Sequence, residues 1–328
     1  MITNDLYENV LIQPVKEGAN ELFIVSGYAT AAMTFHHFQS IKNLDTNIRI
    51  NLIVGMAPQD GLSFSNHCAF KKLVEEDFVE SFECSYIVKN PPVHSKVYIW
   101  LLNNNPFKGF SGSANYTQKA FGKHQRETLN EINADDAFHY YESLISDTIY
   151  CNNPAAEDLV NIFDRNYYAR RKREIENLDE YQDKVSSQIH GLDFIKISFL
   201  DRNNTLPTRS GLNWGQRPEN NREPNQAYIR LPANIYNTDF FPDRTQHFTV
   251  YTDDEKILIC TRAQDNGKAI HTPHNNSLIG EYFRNRLGLP NGSLVKIEDL
   301  ELYGRTDVVF YKIDEETYFM DFSSPNDG

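Results

Sequence analysis

A chain of 328 residues exceeds the usual size of one domain, so two separate cores are expected. With 40% hydrophobic and 12% aromatic residues the composition excludes a chain disordered throughout, and apolar runs such as Val97 to Leu102 are strand-sized, too short for a helical membrane span. The formal net charge of -13 argues against a protein that coats any polyanion it meets.

The first residues, Met1-Ile2-Thr3-Asn4-Asp5, show no basic segment followed by an apolar one, so no signal peptide and a cytoplasmic location are expected. Glu21 to Tyr28 alternates in polarity and reads as a first strand, with a helix over Ala29 to Ile41. Asn47 to Val54 is a nearly continuous apolar run, which suits the interior of a sheet covered on both faces. Ser63 to Glu76 has helical spacing, and Phe82 to Val88 is strand-like before Pro91-Pro92 breaks the chain. Cys68, Cys84, Cys151 and Cys260 form no C-x-x-C pair, so they read as small buried residues, with neither a zinc site nor a disulfide framework.

The next stretch carries chemistry. Val93-His94-Ser95-Lys96-Val97-Tyr98-Ile99-Trp100 is rich in β-branched and aromatic residues and reads as a strand, on which residues two apart share a face. His94 and Lys96 therefore project together. A second run, Phe107 to Gly112, leads into Ser113 and Asn115 at the same spacing. If the two strands pair, one patch collects an imidazole, an ammonium, a hydroxyl and a carboxamide. An imidazole can attack a phosphodiester while ammonium and amide donors stabilise the charge on the non-bridging oxygens, with no metal and no cofactor. No Asp or Glu lies between His94 and Asn115 to hold Mg²⁺.

The words H-x-K and G-S-x-N in this order resemble the signature of the phospholipase D superfamily. In that superfamily an Asp usually follows the Lys by four residues, whereas this chain has Trp100. The departure favours a nuclease-like branch over a lipase. There an Asn and a later Glu support the site, which by resemblance points to Asn115 and to Glu127, with Glu131 as the second choice. The alternation of strand and helix agrees with an α/β phospholipase D-like domain, a mixed sheet flanked by helices, over residues 1–150.

Asp135 to Tyr150 reads as a helix, and Asn153-Pro154 as the cap and first turn of another whose apolar stripe includes Leu159, Ile162 and Phe163. Arg170 to Lys184 is dominated by charge and reads as a solvated helical connector, so residues 151–190 are expected to link two domains. Beyond it come short strands: Phe194 to Leu200, Ala227 to Leu231, His247 to Tyr251, Lys256 to Arg262, Ser293 to Ile297, Val308 to Ile313 and Thr317 to Phe322. One helix is expected over Leu278 to Leu287. This texture predicts a small barrel or sandwich. Two long polar loops interrupt it, Asn203 to Asn225 and Ala263 to Asn276, rich in side chains able to contact base edges. From Arg202 to Arg230 five basic residues face two acidic ones, a local reversal of the overall charge.

Together with H-x-K and G-S-x-N, the words Phe240-Phe241-Pro242, Arg262-Ala263-Gln264-Asp265-Asn266-Gly267-Lys268, Gly280-Glu281-Tyr282-Phe283-Arg284 and Tyr303-Gly304-Arg305 resemble the NgoFVII-type family of type II restriction endonucleases. The resemblance covers nearly the whole chain. It implies that residues 191–328 form an all-β-rich DNA-binding pseudobarrel, similar to that of plant B-three transcription factors, which grips the major groove between two arms. By the same resemblance Arg209, Asn213, Trp214, Gln216, Arg217 and Arg222 belong to the first arm, and Arg262, Gln264, Asn266, Lys268 and His271 to the second.

The leading expectation is a metal-independent, site-specific endonuclease acting on double-stranded DNA, with His94, Lys96, Ser113, Asn115 and Glu127 as its catalytic set. The alternatives are a phospholipase D-type phosphodiesterase, for which a membrane-binding stretch is missing, and a DNA-binding regulator with an inactive nuclease-like dimerisation domain. A phosphohistidine mechanism needs a second imidazole, and no other histidine is followed two residues later by Lys. A homodimer with a composite active site is therefore expected. The sequence leaves open whether an accessory, nucleotide-driven subunit takes part.

Overall fold

A computed structural model describes residues 1–44, 47–123, 125–163, 188–189 and 192–324. The chain divides into two compact units near residue 165. The connector expected over Arg170 to Lys184 lies outside the described residues.

The first unit holds β1 (Glu21–Ser26), β2 (Arg49–Val54), β3 (Leu62–Ser63), β4 (Phe82–Ile87), β5 (Lys96–Leu102), β6 (Asn105–Gly112), β7 (Leu129–Ile132), β8 (Thr148–Tyr150) and β9 (Ile162–Phe163). Its main sheet runs β7-β6-β5-β1-β2-β4-β8. Strands β1, β2 and β4 are parallel, and antiparallel strands extend both sides, which gives the expected mixed sheet. Strand β2 lies between β1 and β4 and is buried from Ile50 onward, so its continuous apolar run is read correctly. Three helices are closed at their starts by side chains that accept otherwise unpaired N–H groups: Thr30 for α1 (Ala31–Ile41), Ser63 for α2 (Phe64–Lys72) and Asn133 for α3 (Ala134–Leu144).

Alternation along β5 serves both faces of the sheet. Val97, Ile99 and Leu101 join Val25, Ile53 and Ile87 in the core under Ala137 and Tyr141 of α3. Trp100 belongs to the other set, where its Nε1 donates to the Val10 carbonyl at 2.7 Å and His37 meets it edge-on. The residue that departs from the superfamily pattern is thus a core anchor for the N-terminal segment.

Two helix predictions fail here for one reason. The helix expected over Asp135 to Tyr150 ends at Leu144, and Thr148–Tyr150 pairs with β4 as β8. The helix expected after Pro154 is a single turn, Ala156–Leu159, followed by β9, which pairs with β3. In both cases β-branched and aromatic residues find an unpaired sheet edge, and the ladder outweighs helical periodicity.

The second unit contains β10 (Gln188–Ile189), β11 (Leu192–Ser198), β12 (Ile229–Arg230), β13 (His247–Thr252), β14 (Ile257–Ala263), β15 (Ala269–His271), β16 (Asp307–Lys312) and β17 (Thr317–Asp321). They form one sheet in the order β10-β11-β16-β17-β13-β14-β15-β12. Strands β11 to β17 each send residues into a single core, among them Ile197, Ile229, Phe248, Cys260, Ile270, Phe310 and Tyr318. A sheet whose strands share one interior is wrapped around it, and the expected pseudobarrel is realised. Helix α4 (Leu278–Arg286) adds Ile279 and Phe283 to that core.

Ser293 to Ile297, expected as a strand, is not one. Val295 donates its N–H to Asn213 Oδ1 at 2.9 Å, and its carbonyl accepts from Asn213 Nδ2 at 2.8 Å. One carboxamide thereby takes the place of a neighbouring strand. Asp299 then accepts the Lys296 N–H at 2.7 Å and opens α5 (Ile297–Tyr303), which sequence periodicity missed.

Candidate active site

Four backbone ends meet at one edge of the first sheet. The register places Ser26 at the end of β1 against Lys96 at the start of β5, Val97 against Ser111, and Gly112 at the end of β6 against Leu129 at the start of β7. Every sequence-predicted catalytic residue is in or beside these ends.

His94 lies two residues ahead of β5 and not on it, as the sequence reading had placed it. It still meets Lys96, whose Nζ is 3.2 Å from each ring nitrogen of His94 and donates to the His94 carbonyl at 2.6 Å. The imidazole is exposed and the Lys96 side chain buried. Burial lowers the Lys96 pKa, and the charge of Glu127 acts in the opposite direction.

Asn115 approaches from the end of β6. Its Oδ1 accepts the Tyr28 N–H at 3.1 Å, which turns its NH₂ group into the available donor. Below the two side chains lies Gly27, where a Cβ would stand 3.1 Å from His94 Cδ2 and 3.5 Å from Asn115 Oδ1. A second glycine holds the approach to His94, since a Cβ at Gly55 would lie 1.9 Å from the Val93 carbonyl oxygen.

Ser113 is exposed; its Oγ donates to Glu127 and accepts the Thr128 N–H at 3.0 Å. Glu127 also accepts from Gln125. Glu131 sits further along β7, opposite Phe110. Of the two carboxylates proposed from sequence, Glu127 is thus the one hydrogen-bonded to the motif. Among the described residues no group of three or more His, Cys, Asp or Glu could hold a metal ion.

Tyr28 was missed. Its ring meets His94 edge-on with centroids 5.9 Å apart, its N–H orients Asn115, and its hydroxyl bonds Asp60. That bond raises the Tyr28 pKa. The only sequence signal was its place immediately after Gly27 at the end of a predicted strand.

In the second unit the two polar loops divide into props and exposed side chains. Asn213 is fully buried on Val295 and Pro207, and Gln216 Nε2 donates to the carbonyls of Pro224 and Gly292. Arg262 is also buried, with its guanidinium spread over the carbonyls of Gly267, Asn266 and Tyr236. His271 Nδ1 is 2.6 Å from Asn276 Oδ1, and burial lowers its pKa. These residues shape the loops from within. Gln264, Asn266 and Lys268 are exposed around the turn that Arg262 grips, and Gln264, Asn266 and Gly267 have positive φ. In the first loop Arg222 lies 3.9 Å over the Trp214 ring, Arg217 Nε donates to the Arg209 carbonyl at 2.7 Å, and Arg209 is ion-paired with Glu219.

A mixed sheet with this edge, followed by a pseudobarrel with two polar loops, defines a phospholipase D-like nuclease that carries its own DNA-binding domain. Residues 4–158 match the NgoFVII restriction endonuclease N-terminal PLD domain, and residues 187–314 match the NgoFVII C-terminal B3-like DNA-binding domain. The chain belongs to the NgoFVII restriction endonuclease family, whose members are enzymes that act on DNA. Among solved structures it is similar to NucT from Helicobacter pylori, at 16% identity over 45% of this chain and 96% of that one, TM-score 0.31. It is also similar to Nuc, a phospholipase D family member from Salmonella typhimurium, at 13% identity over 44% and 89%, TM-score 0.32. A search of curated proteins gave no match.

Proposed function

We propose that the protein is a type II restriction endonuclease that hydrolyses double-stranded DNA at a specific site through a phosphohistidine, without a metal ion. The observation that carries this reading is the convergence of His94, Lys96 and Asn115 over Gly27. A ring nitrogen of His94 attacks phosphorus and the bond to the leaving sugar oxygen breaks. Lys96 and the NH₂ of Asn115 hold the non-bridging oxygens as charge accumulates there. Water then breaks the phosphorus–nitrogen bond and frees His94. The supporting charge is an ammonium and an amide rather than a cluster of carboxylates, so cleavage of a plasmid is expected to persist in excess EDTA. Loss of cutting in EDTA with recovery in Mg²⁺ overturns the metal-independent mechanism.

Protonation of the leaving oxygen and activation of water require a second imidazole, because the first is covalently occupied. We assign it to a second copy of the chain, related by a two-fold axis through the site. Ser113 holds Glu127 in place, and Glu127 orients an imidazole across the axis. One composite site then serves two DNA-binding domains and cuts the strands in turn. Sedimentation is expected to show a dimer without DNA, and mixed dimers of wild-type and His94→Ala chains are expected to stall. A fully active monomer contradicts this assignment.

For site recognition we assign the contacts to the exposed Arg209, Gln264, Asn266 and Lys268 and to the half-buried Trp214, Arg217 and Arg222. The stacking of Arg222 on Trp214 supports this, since a guanidinium held flat loses little entropy on donating to a guanine edge or a phosphate. Asn213, Gln216, Arg262 and His271 act indirectly by fixing the loops. We place residues 1–150 in the nuclease domain and 191–328 in the DNA-binding domain.

A further inference from the structure

The nuclease half is acidic, an unusual endowment for a surface that must meet DNA. Residues 1–163 hold 19 Asp and Glu against 11 Lys and Arg. A duplex carries one negative charge per ~1.7 Å of its axis, so such a surface repels it except where cations gather. Five of the cations are neutralised by carboxylates: Lys16 by Glu8, Arg49 by Glu83, Lys72 by Asp77, Lys89 by Asp147 and Lys108 by Glu17.

Lys123 and Arg126 differ from these. Both are exposed, and neither has an ion pair or hydrogen bond among the described residues. They also sit beside the chemistry. Their segment runs from the turn Gln118–Phe121 to β7 and is fastened at its far end, where Gln125 donates to Glu127 and Ser113 Oγ bonds both Glu127 and the Thr128 N–H. Arg126 adjoins Glu127 in sequence, so its backbone position is set by the same bonds. Lys42 and Lys71 also lack an ion pair among the described residues, but of these cations only Lys123 and Arg126 belong to the segment that the Ser113–Glu127 bond fastens to the site.

We infer that Lys123 and Arg126 form a phosphate-binding rail that receives the DNA backbone beside the scissile phosphate. It makes no sequence-specific contacts, which belong to the second domain. Its work is to offset the repulsion of the acidic unit locally. The inference rests on the reading of the protein as a DNA nuclease, but equilibrium binding judges it without any cleavage.

The test uses the full chain with His94→Ala, so that no DNA is cut, and a fluorescent duplex of random sequence titrated at increasing KCl. Adding Lys123→Gln and Arg126→Gln is expected to make the slope of log affinity against log salt shallower by about two, since each phosphate contact contributes roughly 0.9. Affinity at low salt should fall roughly tenfold. The pair Lys16→Gln and Lys89→Gln removes the same formal charge from bridged positions and should leave the slope unchanged. An unaltered slope in the rail variant, or an equal change in the control, overturns the inference. Whether the wild-type chain cuts DNA is read separately and decides only the nuclease reading.

Discussion

Replacing His94 with Ala should abolish DNA cleavage, with a loss on the order of 10⁴- to 10⁶-fold, as found when a nucleophile is removed from an enzyme that works through a covalent intermediate. The imidazole is exposed, with Lys96 Nζ at its ring nitrogens and Tyr28 edge-on to it, and it is no part of either core, so the fold should survive. Duplex binding should stay within about twofold, because the side chains proposed for recognition belong to the other unit. Acid-labile, base-stable radiolabel on the wild-type chain after quenching with labelled DNA, absent from His94→Ala, would identify the phosphohistidine. A His94→Ala chain that cuts at the wild-type rate would place the chemistry elsewhere.

The second large effect is expected from Arg284→Ala, far from any reacting atom. Arg284 is fully buried in α4 and donates to the carbonyls of Ser293, Gly280, Leu212 and Pro224. One guanidinium thus ties the first polar loop and the segment before α5 to the helix. Burial lowers its pKa, while Glu223 acts the other way. Without it four carbonyls lose a donor and a cavity opens, at a cost of about 3–5 kcal/mol to the second unit. The neighbouring Gly280 shows how tight this packing is, as a Cβ there would lie 1.7 Å from the Asn225 carbonyl oxygen. Thermal unfolding should show the transition of the second unit lowered by about 10 °C or more, with site-specific binding lost. Hydrolysis of bis(p-nitrophenyl) phosphate should persist, because the proposed catalytic set lies in the first unit. Unchanged melting would mean that solvent or neighbouring donors replace the guanidinium.

The catalytic words were legible because their chemistry depends on residue type and order. H-x-K and G-S-x-N remain recognisable even though His94 proves to lie ahead of the strand. Most strands of both sheets were legible for a similar reason: burial on one or two faces imposes a pattern that a short window contains, whereas β15, only three residues long, lies inside the stretch Ala263 to Asn276 expected as a polar loop. Thr148–Tyr150 and Ile162–Phe163 were misread because their pairing partners, β4 and β3, are distant in sequence, and local periodicity says nothing of an edge waiting to be filled. Val295 was misread because its partner is not a strand at all but the side chain of Asn213.

The same distinction separates the recognition residues. Composition alone marked both loops as polar and long enough to be functional, and the first as basic. It could not tell Arg262, at the end of a strand, from Arg222, within a loop, since both are guanidiniums beside polar segments. Only the packed chain buries Arg262 against five carbonyls while Arg222 is laid over Trp214. Tyr28 and the neighbours of Glu127 were likewise decided by tertiary structure, because the ends of β1, β5, β6 and β7 come from segments up to about a hundred residues apart. The sequence by itself determined which chemical groups the protein owns and the order in which its strands present them. Which of those groups stay open to solvent and which hold the backbone was settled by burial, a property of the folded chain that no residue carries alone.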